Sequence, residues 1–379
     1  MTDTATPPIP FAKAAPFWIA LLLVPAVVFS ALAGSWAVFL PVLCTWYLFG
    51  ILDSLIGTTQ ENADPATPES SLYWYRAVTL AWPPVQFALL LWTLWYVPQA
   101  DHLIWAEKLM VFIGLGAVTG TVGITFSHEL MHQKPKLERR LSEWLLAMVL
   151  YSRFRTEHLF VHHPHVGTSR DTVTARYNEN FHRYFRRVMR SGFRSSFHAE
   201  KAMLARKGLP WHHSSNPFWR YWAAQGALML LVFGIGGWAA LGWFLLQAFV
   251  AIWTLELVNY VEHYGLTRKH LGGGKYESVR PHHSWNADHV ASNWLLLNLQ
   301  RHSDHHYKPD RRFPLLQTYS ASEAPQLPYS YAIMTLVALS PKRWRKMMNP
   351  RVQAWRSMYY PEITDWTPYS KAALPKPRV

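Results

Sequence analysis

The sequence predicts an all-α membrane protein, a six-transmembrane-helix bundle with a helical cap on one face. Three observations predict it. Four stretches in the first third are long, apolar and free of Lys and Arg in their middles. A fifth apolar region, from about 218 to 261, is too long for one crossing. The basic residues avoid these stretches and gather in two segments. Composition agrees. Half of the 379 residues are hydrophobic, and only 16% are charged, against roughly 25% in an average soluble domain. So apolar a chain is not disordered. A single cysteine, Cys44, excludes a disulfide framework, a Cys-based zinc site and an iron–sulfur centre within this chain. The mean hydropathy of −0.04 is low for a protein that is all membrane. It implies apolar spans plus a large, basic, water-facing part.

A spanning helix needs about 20 mostly apolar residues. The first four spans are expected at 16–34, 36–57, 77–97 and 106–127. Met1 to Lys13 lacks the basic n-region and small-residue site of a cleaved leader, so the first span is expected to persist. Gly234, Gly236 and Gly237 sit near the middle of the fifth region, and glycine supplies the backbone angles of a tight turn. Two spans are therefore expected there, at 219–235 and 238–260. Residues 141–151 (LSEWLLAMVLY) are apolar but too short to cross, and are read as a cytoplasmic or interfacial helix.

The formal net charge is +14. Segment 128–220 holds 17 of the 37 Lys and Arg, segment 264–379 holds another 17, and only Lys13, Arg76 and Lys108 lie elsewhere. Basic loops stay in the cytoplasm. With the N-terminus inside, the fourth and sixth spans both end inside, and both basic segments share one face. The organisation read from this is 1–127 for the N-terminal segment and four spans, 128–218 for a cytoplasmic cap, 219–260 for two further spans and 261–379 for a cytoplasmic C-terminal region. The tail after about 366, with Pro368, Pro375 and Pro377, reads as an extended terminus. No motif accompanies the charge that would point to nucleic acid.

Nineteen histidines carry the functional signal. They cluster as HELMH (His128, His132), EHLFVHH (His158, His162, His163), NYVEHYGL (His263) and QRHSDHH (His302, His305, His306). Residues four apart share a helix face, which pairs His128 with His132, His158 with His162 and His302 with His306. Neutral imidazole is a ligand for iron, zinc, copper and nickel. Nine imidazoles exceed the four to six ligands of one metal and suit two. HELMH alone also matches the zinc-protease pattern HExxH, but that reading leaves the other seven histidines unexplained. A haem carrier would place ligand pairs deep inside spans, whereas these clusters sit at span ends. Each group brings a carboxylate: Glu129, Glu157, Glu262 and Asp304. These are expected to accept the outer ring N–H of a ligand, the alternative being that some bind metal directly, with His283 of RPHHSWNADH as a further supporting residue. His165, His182, His198, His212, His213 and His270 read as surface residues.

These motifs resemble those of the bacterial membrane alkane 1-monooxygenases. NYVEHYGL and LNLQRHSDHH distinguish that family from the related membrane desaturases and fatty-acid hydroxylases, and the match runs in order from about Ile51 to Phe313. The resemblance implies six spans, a cytoplasmic cap and a non-haem di-iron site. Its ligand histidines carry over to His128, His132, His158, His162, His163, His263, His302, His305 and His306. It also implies O2-dependent hydroxylation of medium-chain n-alkanes to primary alcohols in the bacterial inner membrane. The alternative is a desaturase or fatty-acid hydroxylase. One departure is visible: the family's second box usually has Gly before its final histidine pair, and this chain has Val161.

A methyl C–H is stronger than a methylene C–H, so terminal selectivity implies a narrow channel that presents the chain end first. Alkanes partition into lipid, at about 0.8 kcal/mol per CH2. Trp46, Tyr47 and Trp82, with Gly116, Gly120 and Gly123, are the channel-lining candidates. For each, the competing reading is interfacial anchoring or close helix packing. Electrons come from outside, since the chain has no flavin fingerprint. The resemblance implies rubredoxin, reduced by an NADH-dependent reductase, and the basic face suits an acidic partner or anionic lipid.

Overall fold

The structure is a computed structural model that describes residues 8–369. The expected tail therefore lies almost wholly outside the described residues. Helices dominate, and the sheet among the described residues is one hairpin pairing His270–Gly272 with Lys275–Tyr276. Five helical segments are long and apolar enough to cross a membrane: Phe11–Ala33, Ser35–Ile56, Glu69–Gln99, Trp105–His132 and Pro217–Glu262. The last has 46 residues. As one rod it would extend about 69 Å at 1.5 Å per residue, more than twice the roughly 30 Å of a bilayer core. It is not one rod. Gly236 and Gly237 leave helical geometry, and Gly237 has φ +60°. Two helices meet there, as the glycine cluster predicts.

The second half of that segment runs beside Trp105–His132. Trp243 stacks on Phe112 with ring centroids 5.0 Å apart. A Cβ on Gly116 would lie 2.6 Å from Val250 Cβ, and one on Gly120 would lie 2.8 Å from Ala251 Cα. The contact numbers rise together, so the two helices are parallel. Their C-terminal ends, His132 and Glu262, therefore lie at the same end of the bundle. This is how two histidine motifs more than a hundred residues apart in sequence become neighbours.

The fourth apolar helix does not stop at 127, as expected, but continues through His132. The first histidine motif is thus its last two turns rather than the start of a separate cap. The chain then folds back through Lys136–Ala147, which the seam between Ser127 and Ser142 holds in place, their hydroxyls 2.8 Å apart. This helix covers most of the apolar stretch expected to lie at the interface.

One buried cation fastens the histidine end. Arg312 donates to Glu138 at 2.9 and 3.1 Å, pairs with Glu69, and approaches Glu129 at 3.9 Å. It thereby joins the start of Glu69–Gln99, the end of Trp105–His132 and helix Lys136–Ala147 to the segment after the last histidine motif. Arg301 makes a similar tie, donating to the carbonyls of Glu61 and Leu316. Buried charges persist where they are paired or hydrogen-bonded: Arg312 is both, and Arg301 is held by hydrogen bonds to neutral oxygens.

Close approach at Gly116 leaves no room for a methyl group, because Gln247 O lies 2.8 Å from the position a Cβ would take. Gly226, on the first half of the same long segment, has nothing within 4 Å. Gly116→Ala is expected to destabilise the protein by about 1–3 kcal/mol. Gly226→Ala should be neutral or slightly stabilising. Thermal unfolding of the two variants in detergent checks the difference.

Candidate metal centre

Four pieces of chain deliver the nine histidines. His128 and His132 lie one turn apart on the fourth apolar helix. His263 is the first residue past Pro217–Glu262, where the backbone leaves helical geometry. His302 and His306 lie one turn apart on the short helix His302–Tyr307, with His305 on a different face. The remaining piece, Arg153–His165, changes its winding as it passes. It is α-helical to Glu157 and widens into a π turn over His158–His162. The N–H of His163 donates to the carbonyl of His158, five residues back. An i→i+5 turn returns the residue five on, rather than four on, to nearly the same face. Sequence spacing pairs His158 with His162, but the structure pairs His158 with His163 and turns His162 elsewhere. Val161, the departure from the family pattern, is buried in that turn.

The rings form two adjoining groups. His128, His132, His158, His163 and His305 make one, and His162, His263, His302 and His306 make the other. Within each, one ring nitrogen per residue lies within 4.8 Å of all the others. In the first, Nε2 atoms follow one another from His132 to His158 (3.0 Å), to His163 (2.9 Å) and to His305 (3.0 Å). In the second they run from His162 to His306 (3.2 Å), to His302 (3.0 Å) and to His263 (3.1 Å). Seven of the nine residues are buried, and His132 and His163 are half-buried.

These short separations are not an ordinary hydrogen-bond chain. A neutral ring nitrogen either carries a proton or offers a lone pair, never both. His158 Nε2 has two such neighbours, and so do His163, His306 and His302, so no assignment of protons satisfies both series. Lone pairs converging on a shared cation do satisfy them. The donor set, all imidazole, suits iron, zinc, copper or nickel. Six of the imidazoles are also held in the form that binds metal. Burial, reinforced by the neighbouring rings, pushes His158, His163, His263, His302, His305 and His306 well below the usual histidine range.

The carboxylates divide differently from the sequence expectation. Glu129 receives Gln133 Nε2 at 2.9 Å and faces Arg312, not an imidazole. Glu157 is held by Arg153 and by Thr172 Oγ1 at 2.8 Å. Asp304 accepts from Arg311 Nη1 (2.6 Å), Gln317 N (3.0 Å) and Tyr319 OH (2.7 Å), which anchors the chain that follows the last motif. These three therefore do not support ring nitrogens; they brace the segments that carry the rings. Glu262 does face a histidine, but on the inner side. Its Oε2 lies 3.4 Å from His302 Nε2, the nitrogen already turned into the second group.

The carboxylate that supports a ring is one the sequence did not single out. Asp171 accepts from His162 Nδ1 at 2.8 Å, from Thr174 Oγ1 at 2.6 Å and from Val173 N at 2.9 Å. Burial works to raise its pKa. The His162 ring and these donors outweigh burial and hold it below the usual value. An ionised Asp171 keeps the proton on His162 Nδ1 and leaves Nε2 free to bind. Asp171 is nine residues from His162, beyond any helical spacing, and only the reversal of chain after Pro164 brings it back.

His283 belongs to a separate cluster with Glu277 and His282. Its Nε2 lies 2.8 Å from Tyr360 OH and 3.3 Å from Glu277 Oε1, and its Nδ1 accepts from Arg280 N at 2.9 Å. Accepting at Nδ1 fixes the proton on Nε2, so this ring donates to the carboxylate rather than offering a lone pair. The donors in the cluster hold Glu277 at a pKa of about 2, against the opposing effect of burial. His283 thus fastens the hairpin segment to the end of helix Pro341–Tyr359 and does not support the nine. His182, His198, His212 and His270 are exposed as expected, whereas His165 and His213 are half-buried.

Two cavities lead to the histidines. One, about 550 Å³ with its open mouth, lies between Thr45 and Trp46, Trp253 and Leu257, and helix Tyr331–Ala338. The other, about 450 Å³, runs from Gly120 to His128, His158, Glu262 and His302. Thr121, Val258 and Leu296 line both, so the two adjoin at a neck formed by these residues. Of the channel candidates, Trp46 and Gly120 lie on this path. Tyr47 points outward, with 47% of its surface exposed. Trp82 is buried and donates to Gln86 Oε1 at 2.8 Å. Gly116 packs against Val250, and Gly123 against Gln86. These four serve helix packing or the outer surface.

Comparison with known proteins agrees with this architecture. The family model described as fatty acid desaturase matches residues 103–338. Alkane 1-monooxygenase 2 of Pseudomonas aeruginosa is 38% identical over 359 residues, which is 92% of this chain and 94% of that protein. Alkane 1-monooxygenase 1 of the same organism is 36% identical, over 89% of this chain and 91% of its own. Alkane 1-monooxygenase 2 of Alcanivorax borkumensis is 36% identical, over 89% and 90%. This multi-pass membrane chain thus belongs to the fatty acid desaturase family, on its alkane 1-monooxygenase branch, and is an oxidoreductase of the monooxygenase class.

Proposed function

We propose that this chain hydroxylates the terminal carbon of medium-chain n-alkanes, using O2 at a pair of iron ions, to give primary alcohols. The observation that carries the reading is two adjoining groups of imidazole nitrogens at the inner end of an apolar tunnel. His128, His132, His158, His163 and His305 would hold one ion, and His162, His263, His302 and His306 the other. Glu262 offers an oxygen on the same side as the second group. When bound, the two ions supply the reductive activation of O2. The chain's own residues do the rest. Asp171 keeps His162 in its binding tautomer, and burial keeps His158, His163, His263, His302, His305 and His306 neutral. The tunnel excludes water, and its neck presents the alkane end first.

The tunnel wall also speaks to the substrate. Among the described residues lining the two cavities there is no Lys or Arg. A carboxylate entering the tunnel would meet no partner for its charge, so the end that enters is an apolar one. On this reading the protein sits in the bacterial inner membrane with its histidine end cytoplasmic. All but three of the 37 basic residues lie in the two segments on that side. An acidic electron carrier such as rubredoxin, reduced in turn by an NADH-dependent reductase, suits so basic a face.

Purified protein supplied with rubredoxin, its reductase, NADH, O2 and octane is expected to form 1-octanol with two irons per chain. Product appearing without iron, or only at an acyl substrate, would overturn the reading. Asp171→Asn should lower iron affinity by about 10–100-fold, which retention of iron against a competing chelator measures. Leu296→Ala widens the neck, so secondary alcohols should appear among the products of octane. Chromatography of the octanol isomers decides this, and 1-octanol as the sole product would count against a neck at Leu296.

A further inference from the structure

We propose that Thr121 is a binding point for a hydroxyl group at the neck of the tunnel, where the oxygenated end of a primary alcohol rests on its way out. The inference deepens the reading of the tunnel as the alkane path. It starts from the hydroxyls in the tunnel wall. Thr45 donates to Pro41 O at 2.6 Å, Thr125 to Thr121 O at 2.6 Å, Thr254 to Val250 O at 2.9 Å and Thr335 to Tyr331 O at 2.8 Å. Each bonds the carbonyl four residues back on its own helix, so its proton is already committed there. Ser292 receives Gln300 Nε2 at 2.7 Å, and Tyr331 OH reaches Trp285 O. Among the described hydroxyls lining the two cavities, Thr121 alone has an oxygen that is shut off from solvent and has no hydrogen-bond partner.

Its position gives that vacancy a use. Thr121 lines both chambers and sits in the π turn Thr119–Gly123, a local winding common at functional sites. Thr119, on the same turn, is fully engaged with Gln247 and Gly116. Seven residues separate Thr121 from His128, about 10 Å of helix at 1.5 Å per residue. An alkane has no group that could use a hydroxyl at this place. The alcohol formed from it does. Its new hydroxyl must cross an apolar neck, where a polar group without a partner is disfavoured. Thr121 offers a partner midway, able to donate or accept, while the alkyl chain occupies the outer chamber.

The test is equilibrium binding of 1-octanol and of octane to the iron-loaded protein in lipid nanodiscs, by calorimetry with empty nanodiscs subtracted. Thr121→Val removes the hydroxyl at nearly constant shape, and Thr121→Ser retains it. The proposal expects Thr121→Val to weaken 1-octanol about ten-fold, the worth of one hydrogen bond, with octane changed less than about two-fold. Thr121→Ser should bind 1-octanol about as tightly as the parent. Equal weakening of both ligands would mark a packing residue and overturn the proposal, as would no change, or a serine variant as weak as the valine one. Because binding is read directly, the result stands apart from whether octane is oxidised, so the two readings can fail separately.

Discussion

Everything in this structure answers to one constraint: nine imidazoles must converge in two groups, and eight of their Nε2 atoms lie 2.9–3.2 Å from a neighbour in two series that no placement of protons can satisfy. Such crowding is unfavourable for bare rings. It becomes favourable when shared cations accept the lone pairs. Until then the surrounding fold must impose it. The parallel packing of the two long apolar helices, the buried Arg312 tie and the bracing carboxylates Glu157 and Asp304 are the means. None of those carboxylates touches a ring, yet each fixes a segment that carries one.

Two π turns do work that regular helices could not. The turn at His158–His162 splits three nearly consecutive histidines between two groups, because the residue five on replaces the residue four on as the neighbour above. The turn at Thr119–Gly123 lies where the fourth apolar helix meets the tunnel neck. Both occur in segments that an undisturbed α-helical pattern would describe as unremarkable.

The tunnel and the histidine groups are chemically opposed neighbours. The outer chamber is apolar and, Thr121 apart, its threonine hydroxyls are folded onto their own helices. The inner chamber ends in imidazole and the Glu262 carboxylate. A molecule with no polar atoms can lie along the whole path, and only its leading end meets the polar groups. This juxtaposition, more than any single residue, gives the site its direction.

The sequence by itself determined the membrane helices, the glycine turn at Gly236 and Gly237, and the identity of the nine clustered histidines, because apolar length, glycine and residue spacing are local properties. It also carried the family resemblance, since HELMH, EHLFVHH, NYVEHYGL and LQRHSDHH are written in order along the chain. Only the tertiary structure decided how the nine divide into five and four, since that depends on a change of helical winding and on helices far apart in sequence. The same holds for Asp171, which reaches His162 after a chain reversal, and for Glu129, Glu157, Asp304 and His283, whose partners include Arg312, Thr172, Tyr319 and Tyr360 from beyond their own helices. A carboxylate next to a histidine in sequence points away from it on a helix, so adjacency along the chain was the wrong guide, and contact through space was the right one.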